Sequence, residues 1–246
     1  MIKAVLFDMD DTLLSINLTA FVAVHAAKLT SMLSRISRTS AAPLGIAYTR
    51  AYLAISAEGR TDSLTNDELF CQTFQRLTHI PLDDPAIADA LDTFERTVTP
   101  RLSGGPVQAR PRPGARKAVT SALDLGLDVA LATNPSFSAS CVRTRMEWAD
   151  VADIDFVRVS SMENSTRVKP FARYYQEFAG AMGLTCDECL MVGNDASRDF
   201  PRPDCGLATA YVGHGWPKRA VWRGDPERLA RDLPFLVDDL NRRADA

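Results

Sequence analysis

Three short apolar runs, each broken off by a cluster of acids, hydroxyls or amides, constrain this chain more than any other feature. Lys3 to Phe7 (KAVLF) stops at Asp8-Met9-Asp10-Asp11-Thr12. Asp128 to Ala132 (DVALA) stops at Thr133-Asn134-Pro135-Ser136, and Cys189 to Val192 (CLMV) at Gly193-Asn194-Asp195-Ala196-Ser197-Arg198-Asp199. A run that is apolar at successive rather than alternate positions suits a strand buried on both faces, as in a parallel sheet. Phe156 to Val159 and Ala208 to Val212 repeat the pattern. Helix-like stretches fall between the runs at 115–125, 137–147, 170–182 and, with a poorer pattern, 197–204. Strand alternating with helix predicts βαβ units and a doubly wound, parallel α/β sheet with helices on both faces. Gly126 and Gly183 directly follow two of the helical stretches, where a left-handed cap is expected.

Residues 15–103 read differently. Helix-like segments near 16–38, 43–58, 66–78 and 85–97 succeed one another with none of the strand runs. Thr65-Asn66-Asp67-Glu68 is a capping-box pattern, and Leu69, Phe70, Phe74 and Leu77 form an apolar stripe behind it. Pro85 suits the first turn of the fourth segment. The sequence therefore divides into an α/β core, 1–14 and 104–246, and a smaller all-helical domain, 15–103, inserted after the first strand. The return connector, Ser103-Gly104-Gly105-Pro106 and Arg110-Pro111-Arg112-Pro113-Gly114, is stiffened by proline, and its arginines read as a solvated face.

Composition narrows the function. With 28 Lys+Arg against 31 Asp+Glu, the net charge of −3 argues against a surface built to hold nucleic acid. The 246 residues suffice for one large or two modest domains without disulfide or zinc staples. The five cysteines have no framework spacing. Cys186 and Cys189 form a lone C-x-x-C that fits a turn and the opening of a buried strand better than a redox dithiol. Acids interrupt the N-terminal apolar run as they would not in a signal peptide, and Asn17, His25, Lys28 and Arg35 interrupt 16–36. A cytoplasmic protein with no membrane or nucleic-acid partner, monomeric or homodimeric, is expected.

In an open parallel sheet, ligands bind beyond the carboxyl ends of the strands, where the strand order switches. Carboxylates, a hydroxyl and an amide end three of the predicted strands, and Lys169-Pro170 follows a fourth. All would converge on one rim. Two carboxylates about 5 Å apart repel by roughly 3 kcal/mol at an effective dielectric near 20. Such a cluster needs a counter-ion, and hard oxygen donors select Mg2+ over zinc or copper. Mg2+ favours a few carboxylates, waters and a substrate phosphate, which points to phosphoryl chemistry with a carboxylate available as nucleophile.

In order and in strand context, Asp8-x-Asp10-x-Thr12-Leu13, Thr133-Asn134, Lys169-Pro170 and Gly193-Asn194-Asp195-x-x-x-Asp199 resemble the four motifs of the haloacid dehalogenase superfamily. The helical insertion resembles the cap that some members carry between the first two motifs. The resemblance implies a nucleophilic Asp8 that attacks phosphorus and also touches Mg2+. It implies Asp10 as the acid that protonates the leaving oxygen, then as the base that activates water, with its main-chain carbonyl on the metal. Thr12 would steady Asp10, and Thr133 and Asn134 would bind the non-transferring phosphate oxygens. Lys169 would neutralise charge, and Asp195 and Asp199 would hold or orient the metal. The family motif usually reads Gly-Asp, so Asn194 is a departure. Asp195 is preferred as direct ligand because it brings charge, with Asn194 as the alternative.

An acid two residues after the nucleophile favours phosphate esters over carbon–halogen bonds, since only an alcohol leaving group needs a proton. The expected function is a Mg2+-dependent phosphohydrolase acting on a small phosphorylated metabolite through an aspartyl phosphate. A phosphoryl mutase, a phosphonate hydrolase or a non-catalytic regulatory member of the fold are the alternatives. A phosphonate hydrolase would need a lysine from the helical domain, and Lys28 is its only one. Asp11 reads as a turn or capping residue, and His25, His79 and His214 are given no catalytic role. Asn17, Arg50, Tyr52 and Arg60 are the polar residues of the insertion best placed to be considered for specificity. Trp216 is expected to pack over the last strand.

Overall fold

A computed structural model describes residues 1–244. In chain order the strands are β1 (Ala4–Phe7), β2 (Leu14–Ser15), β3 (Arg110–Pro111), β4 (Asp128–Leu131), β5 (Arg158–Val159), β6 (Cys189–Gly193), β7 (Ala208–Val212) and β8 (Trp222–Gly224). The helices are α1 (Leu18–Ser37), α2 (Ala41–Ile55), α3 (Asn66–Thr78), α4 (Pro85–Thr97), α5 (Ala115–Asp124), α6 (Ala139–Trp148), α7 (Ala172–Gly180) and α8 (Pro226–Ala244). Six strands form one parallel sheet in the order β5-β4-β1-β6-β7-β8, and β2 pairs with β3 in a separate antiparallel ribbon. The fold is α/β, as the apolar runs require.

Alternation along β1 sends its side chains to two cores. Val5 and Phe7 join Val129, Leu131, Leu190 and Val192 beneath α5, α6 and α8. Ala4 and Leu6 join Ala130, Met191, Tyr174, Tyr175 and Phe178 beneath α7 on the other face. Phe7 sits between Leu131 of β4 and Val192 of β6, and the ladder continues one step beyond it, where Asp8 N–H donates to Val192 C=O at 2.9 Å. The chain runs from β1 outward to β4 and β5, then returns to β1's other side at β6. The strand order therefore reverses at β1, and Asp8 leaves the sheet there.

The four helices between β2 and β3 pack around a separate apolar cluster that includes Leu33, Leu44, Ile55, Phe70 and Phe74. Thr65 closes the expected capping box with Glu68 at the start of α3, and Asp84 caps α4 ahead of Pro85. The next residue, Asn66, fastens this helical unit to the sheet unit. It is fully buried; its amide N–H2 donates to Pro135 C=O at 2.9 Å and Arg167 C=O at 3.3 Å, and its carbonyl accepts from Arg60 at 2.7 Å.

Some expectations fail for clear reasons. No helix forms over 197–204, where Pro201 and Pro203 interrupt the chain and Asp195 instead closes a turn with Arg198 and Asp199. The run at Phe156 to Val159 shortens to Arg158–Val159 at the sheet edge. Strand β8 and helix α8 extend the core beyond the expected elements. Leu229, Leu233, Leu236 and Val237 are the buried stripe of α8, and Pro234 inside it masks the pattern. Trp216 is 84 % exposed, with the Arg223 guanidinium 5.5 Å from its ring, and does not pack over the last strand. Cys186 occupies the turn before β6 and Cys189 opens it, as a structural C-x-x-C should. No helix among the described residues is long and apolar enough to cross a membrane.

Asn66→Ala takes the side-chain donor from two buried carbonyls, while Arg60 keeps Asp62 and the Ile55 and Leu64 carbonyls. Each unsatisfied group costs about 1–3 kcal/mol, so the variant should lose about 2–4 kcal/mol, read as a lowered urea midpoint.

Candidate active site

The residues at the carboxyl ends of β1, β4 and β6 meet around one lysine. Lys169 is buried, and its ammonium donates to Asp8 Oδ1 at 2.8 Å and to Asp199 Oδ1 at 2.7 Å. The other oxygen of Asp199 accepts the main-chain N–H of Asp195 at 2.8 Å. Gly193 makes this packing possible, because a Cβ there would lie 2.2 Å from the Asp199 carboxylate. Burial pushes Asp199 up to about 6 against the pull of Lys169. Burial also raises the pKa of Asp8, with Lys169 opposing and Asp10 adding to the shift. For Lys169 burial disfavours the charge, yet Asp199 and Asp8 together raise its pKa, and the ammonium is retained.

Asp8 turns its second oxygen, Oδ2, toward Thr12. The Thr12 hydroxyl lies 3.2 Å from Asp8 Oδ2 and 3.2 Å from Asn194 Oδ1, so its one proton is shared between them. Two oxygen acceptors thus face each other beside the β1 terminus, one carboxylate and one amide. Asp195 does not join them. Its Oδ1 accepts from Ser197 N–H at 2.7 Å and Ser197 Oγ at 2.6 Å, and its Oδ2 faces Arg198 at 3.6 Å. The preference for Asp195 over Asn194 therefore meets a geometric obstacle. As an acid opening a turn, Asp195 folds back on the amides that follow, and Asn194 is left facing the rim.

On the other flank, Thr133 is buried, and its carbonyl accepts from Ser160 at 2.6 Å and Tyr174 at 3.0 Å. Asn134 accepts the Lys169 N–H at 3.2 Å, which turns its NH2 toward Ser136 Oγ at 3.3 Å. Tyr52 from the helical unit reaches the same Ser136 at 3.4 Å. The other polar residues considered in the insertion act elsewhere. Asn17 caps α1, Arg60 ties down Asp62 and Asn66, and Arg50 is exposed. Asp11 takes a left-handed turn conformation at φ 52° and accepts the Ile16 N–H, the turn role expected of it.

One residue at the site escaped sequence reasoning. Arg145 of α6 is fully buried and donates from Nη2 to Asp10 Oδ1 in a short ion pair. Its guanidinium centre lies 4.9 Å from the Phe137 ring and 5.7 Å from Phe21. The signal was present: Arg145 follows Cys141 by four residues, on the helix face that carries the buried positions. An arginine on an apolar stripe must find a buried partner, and Asp10 is that partner.

The model of the haloacid dehalogenase-like hydrolases matches residues 2–201. The chain belongs to that family. A HAD phosphatase from Thermococcus onnurineus is 18% identical with a TM-score of 0.54, covering 96% of this chain and 98% of its own. A haloacid dehalogenase-like family hydrolase from Xanthomonas campestris is 16% identical with a TM-score of 0.51, covering 98% of each chain. An L-2-haloacid dehalogenase from Xanthobacter autotrophicus with covalently bound chloropropionic acid is 16% identical with a TM-score of 0.51, covering 97% of this chain and 99% of its own. A search of curated protein sequences finds no match. At these identities the structures share the fold of this HAD-like hydrolase, and its chemistry must be argued from its own residues.

Lys169→Met would leave two buried carboxylates facing one another. Removing one partner of a buried ion pair costs about 3–5 kcal/mol. The folded-state pKa values of both acids then stand above the unfolded value of about 3.9. Their protonation stabilises the fold at low pH, and that stabilisation is lost as pH rises through their raised folded-state pKa values. The deficit of the variant should be largest near neutrality and narrow toward about pH 5, measured by urea denaturation across the range.

Proposed function

We propose that this HAD-like hydrolase is a Mg2+-dependent phosphatase of small phosphomonoesters that works through an aspartyl phosphate on Asp8. The observation that carries the reading is the second acid, Asp10, two residues beyond a carboxylate that a buried lysine holds against Asp199. Hydrolysis of a carbon–halogen bond releases halide, which needs no proton. An alkoxide leaving group does, and a carboxyl beside the nucleophile can supply it.

The donor set fits a hard dication. Asp8 Oδ2 and Asn194 Oδ1 converge on Thr12 as oxygen donors, and the Asp10 main-chain carbonyl belongs to the same turn. Asp199 spends both oxygens on Lys169 and the Asp195 N–H, which suits it to orient the site from behind. When bound, Mg2+ supplies positive charge against the phosphoryl group. Asp8 attacks phosphorus as the ester oxygen departs; Asp10, which takes up a proton when it leaves its ion pair with Arg145, gives that proton to the departing oxygen and afterwards takes one from the water that attacks the aspartyl phosphate and releases phosphate. Lys169 offsets the charge that accumulates on the equatorial oxygens, and Thr133 and the Asn134 amide hold those oxygens in place. The helical unit serves as a cap, which closes the rim from bulk water and strengthens these interactions. A small phosphorylated metabolite, met by the protein alone or as a homodimer, suits a rim covered in this way.

Phosphate release from a broad monoester panel tests the reading. Asp8→Asn should abolish turnover, as should EDTA, with recovery on adding Mg2+. Asp10→Asn should cost about 100-fold or more in turnover on alkyl phosphates; on aryl phosphates, whose leaving groups need no acid, it should spare release of the first equivalent of phenol and slow the later hydrolysis, for which Asp10 is the base. Activity that survives Asp8→Asn overturns the mechanism. Asn194→Asp adds a carboxylate where this chain carries an amide. It should lower the Mg2+ concentration for half-maximal rate about ten-fold, equivalent to about 1.4 kcal/mol.

A further inference from the structure

Away from the catalytic rim, the seam between the helical unit and α6 holds three side chains with no role in phosphoryl transfer. His25 of α1 is 3 % exposed, its ring packed against Phe21, Phe94 and Phe137, and neither of its nitrogens has a hydrogen-bond partner. Glu95 of α4 faces it at 3.8 Å, too long for a hydrogen bond, and its Oε2 is buried without a partner. Cys141 of α6 is fully buried beside them. One donor atom from each residue lies within 4.8 Å of the others. Unsatisfied buried polar atoms cost about 1–3 kcal/mol each, and both nitrogens of His25 and Oε2 of Glu95 are left so here.

We propose that His25, Glu95 and Cys141 form a site for a thiophilic divalent cation of the zinc class. Imidazole, carboxylate and thiolate together select a borderline-soft ion, in contrast to the all-oxygen catalytic rim. At metal–ligand lengths of about 2.0–2.3 Å, tetrahedral ligands stand about 3.5 Å apart, so closing the observed spacing needs shifts of about 1 Å or less. Burial and the nearby Arg145 hold His25 down at about 4, which keeps its imidazole neutral with a free lone pair. Cys141 loses its thiol proton to solvent on binding. Its thiolate and the Glu95 carboxylate then balance the dication, while Arg145 is already neutralised by Asp10. A cavity of about 390 Å3, bordered by His25, Glu95 and Ser138, leaves a fourth position for water. Two ligands come from the helical unit and one from the sheet unit, so the ion would tie one to the other.

Cobalt(II) reports on such a site independently of activity. Metal-stripped protein, held in excess Mg2+ to occupy the oxygen rim, is titrated with Co2+ and followed by absorption. The expected result is thiolate-to-cobalt charge transfer and four-coordinate visible bands that saturate at one equivalent and are displaced by Zn2+. Cys141→Ser should abolish the charge-transfer band, and His25→Asn should weaken apparent Co2+ affinity at least ten-fold. Cys71→Ser should leave both unchanged, with circular dichroism verifying that each variant is folded. No thiolate band in the wild type overturns the proposal, as does a band that survives Cys141→Ser or vanishes in Cys186→Ser. Should Cys141→Ser not fold, unchanged affinity in His25→Asn overturns it by itself.

Discussion

The Lys169 ammonium, held between Asp8 and Asp199, is the interaction on which the rest of the site depends. Two buried carboxylates so close cannot both remain charged unless a cation lies between them. Lysine supplies it from the segment preceding α7, and that choice dictates the surroundings. Asp199 must approach β6 so closely that position 193 tolerates no Cβ. Its second oxygen must be occupied, and the Asp195 N–H does so. With Asp199 spent in this way, Asp8 Oδ2 and Asn194 Oδ1 are the side-chain oxygens that meet at Thr12. The charge that could meet a dication there is therefore smaller than a count of nearby aspartates suggests.

A second ion pair lies within the sheet unit and touches the helical unit only through an aromatic ring. Arg145 reaches Asp10 from α6, and its guanidinium rests on Phe21 of α1 and Phe137 at the start of α6. Asn66 fastens α3 to the loop after β4, and Tyr52 touches Ser136 in that same loop. The acid of the first motif and the amide of the second are thus both in touch with elements that hold the helices down. Movement of the helical unit would be felt at Asp10 and Asn134 before it reached Asp8, which sits deeper and is held by the sheet.

Much of this was legible in the sequence because it follows from local chemistry. Apolar runs that end in polar clusters specify buried parallel strands and the rim where they stop. The capping box at Thr65 and the proline at position 85 specify where two of the helices begin. What escaped notice depended on partners far along the chain. Arg145 lies on the apolar face of its helix, but its partner, Asp10, is 135 residues away and is brought to it only by the fold. Helix α8 was hidden by Pro234, yet burial of Leu229, Leu233 and Leu236 outweighs the lost hydrogen bond. Trp216 was expected to pack and does not, since the bulk of a side chain says nothing about whether a surface waits to receive it.

The sequence by itself determined the sheet, the helical insertion and which polar residues gather at one rim, because strand burial and helix capping act over a few residues. Only the tertiary structure decided how those residues divide the work. A turn at Asp195 points that acid away and leaves Asn194 facing Asp8. Lys169 claims Asp199, Arg145 claims Asp10, and His25, Glu95 and Cys141 converge from three helices. Each of these depends on distances of a few ångströms between distant segments, and charge–charge and ligand geometries are sensitive at that scale, whereas hydrophobic periodicity is not.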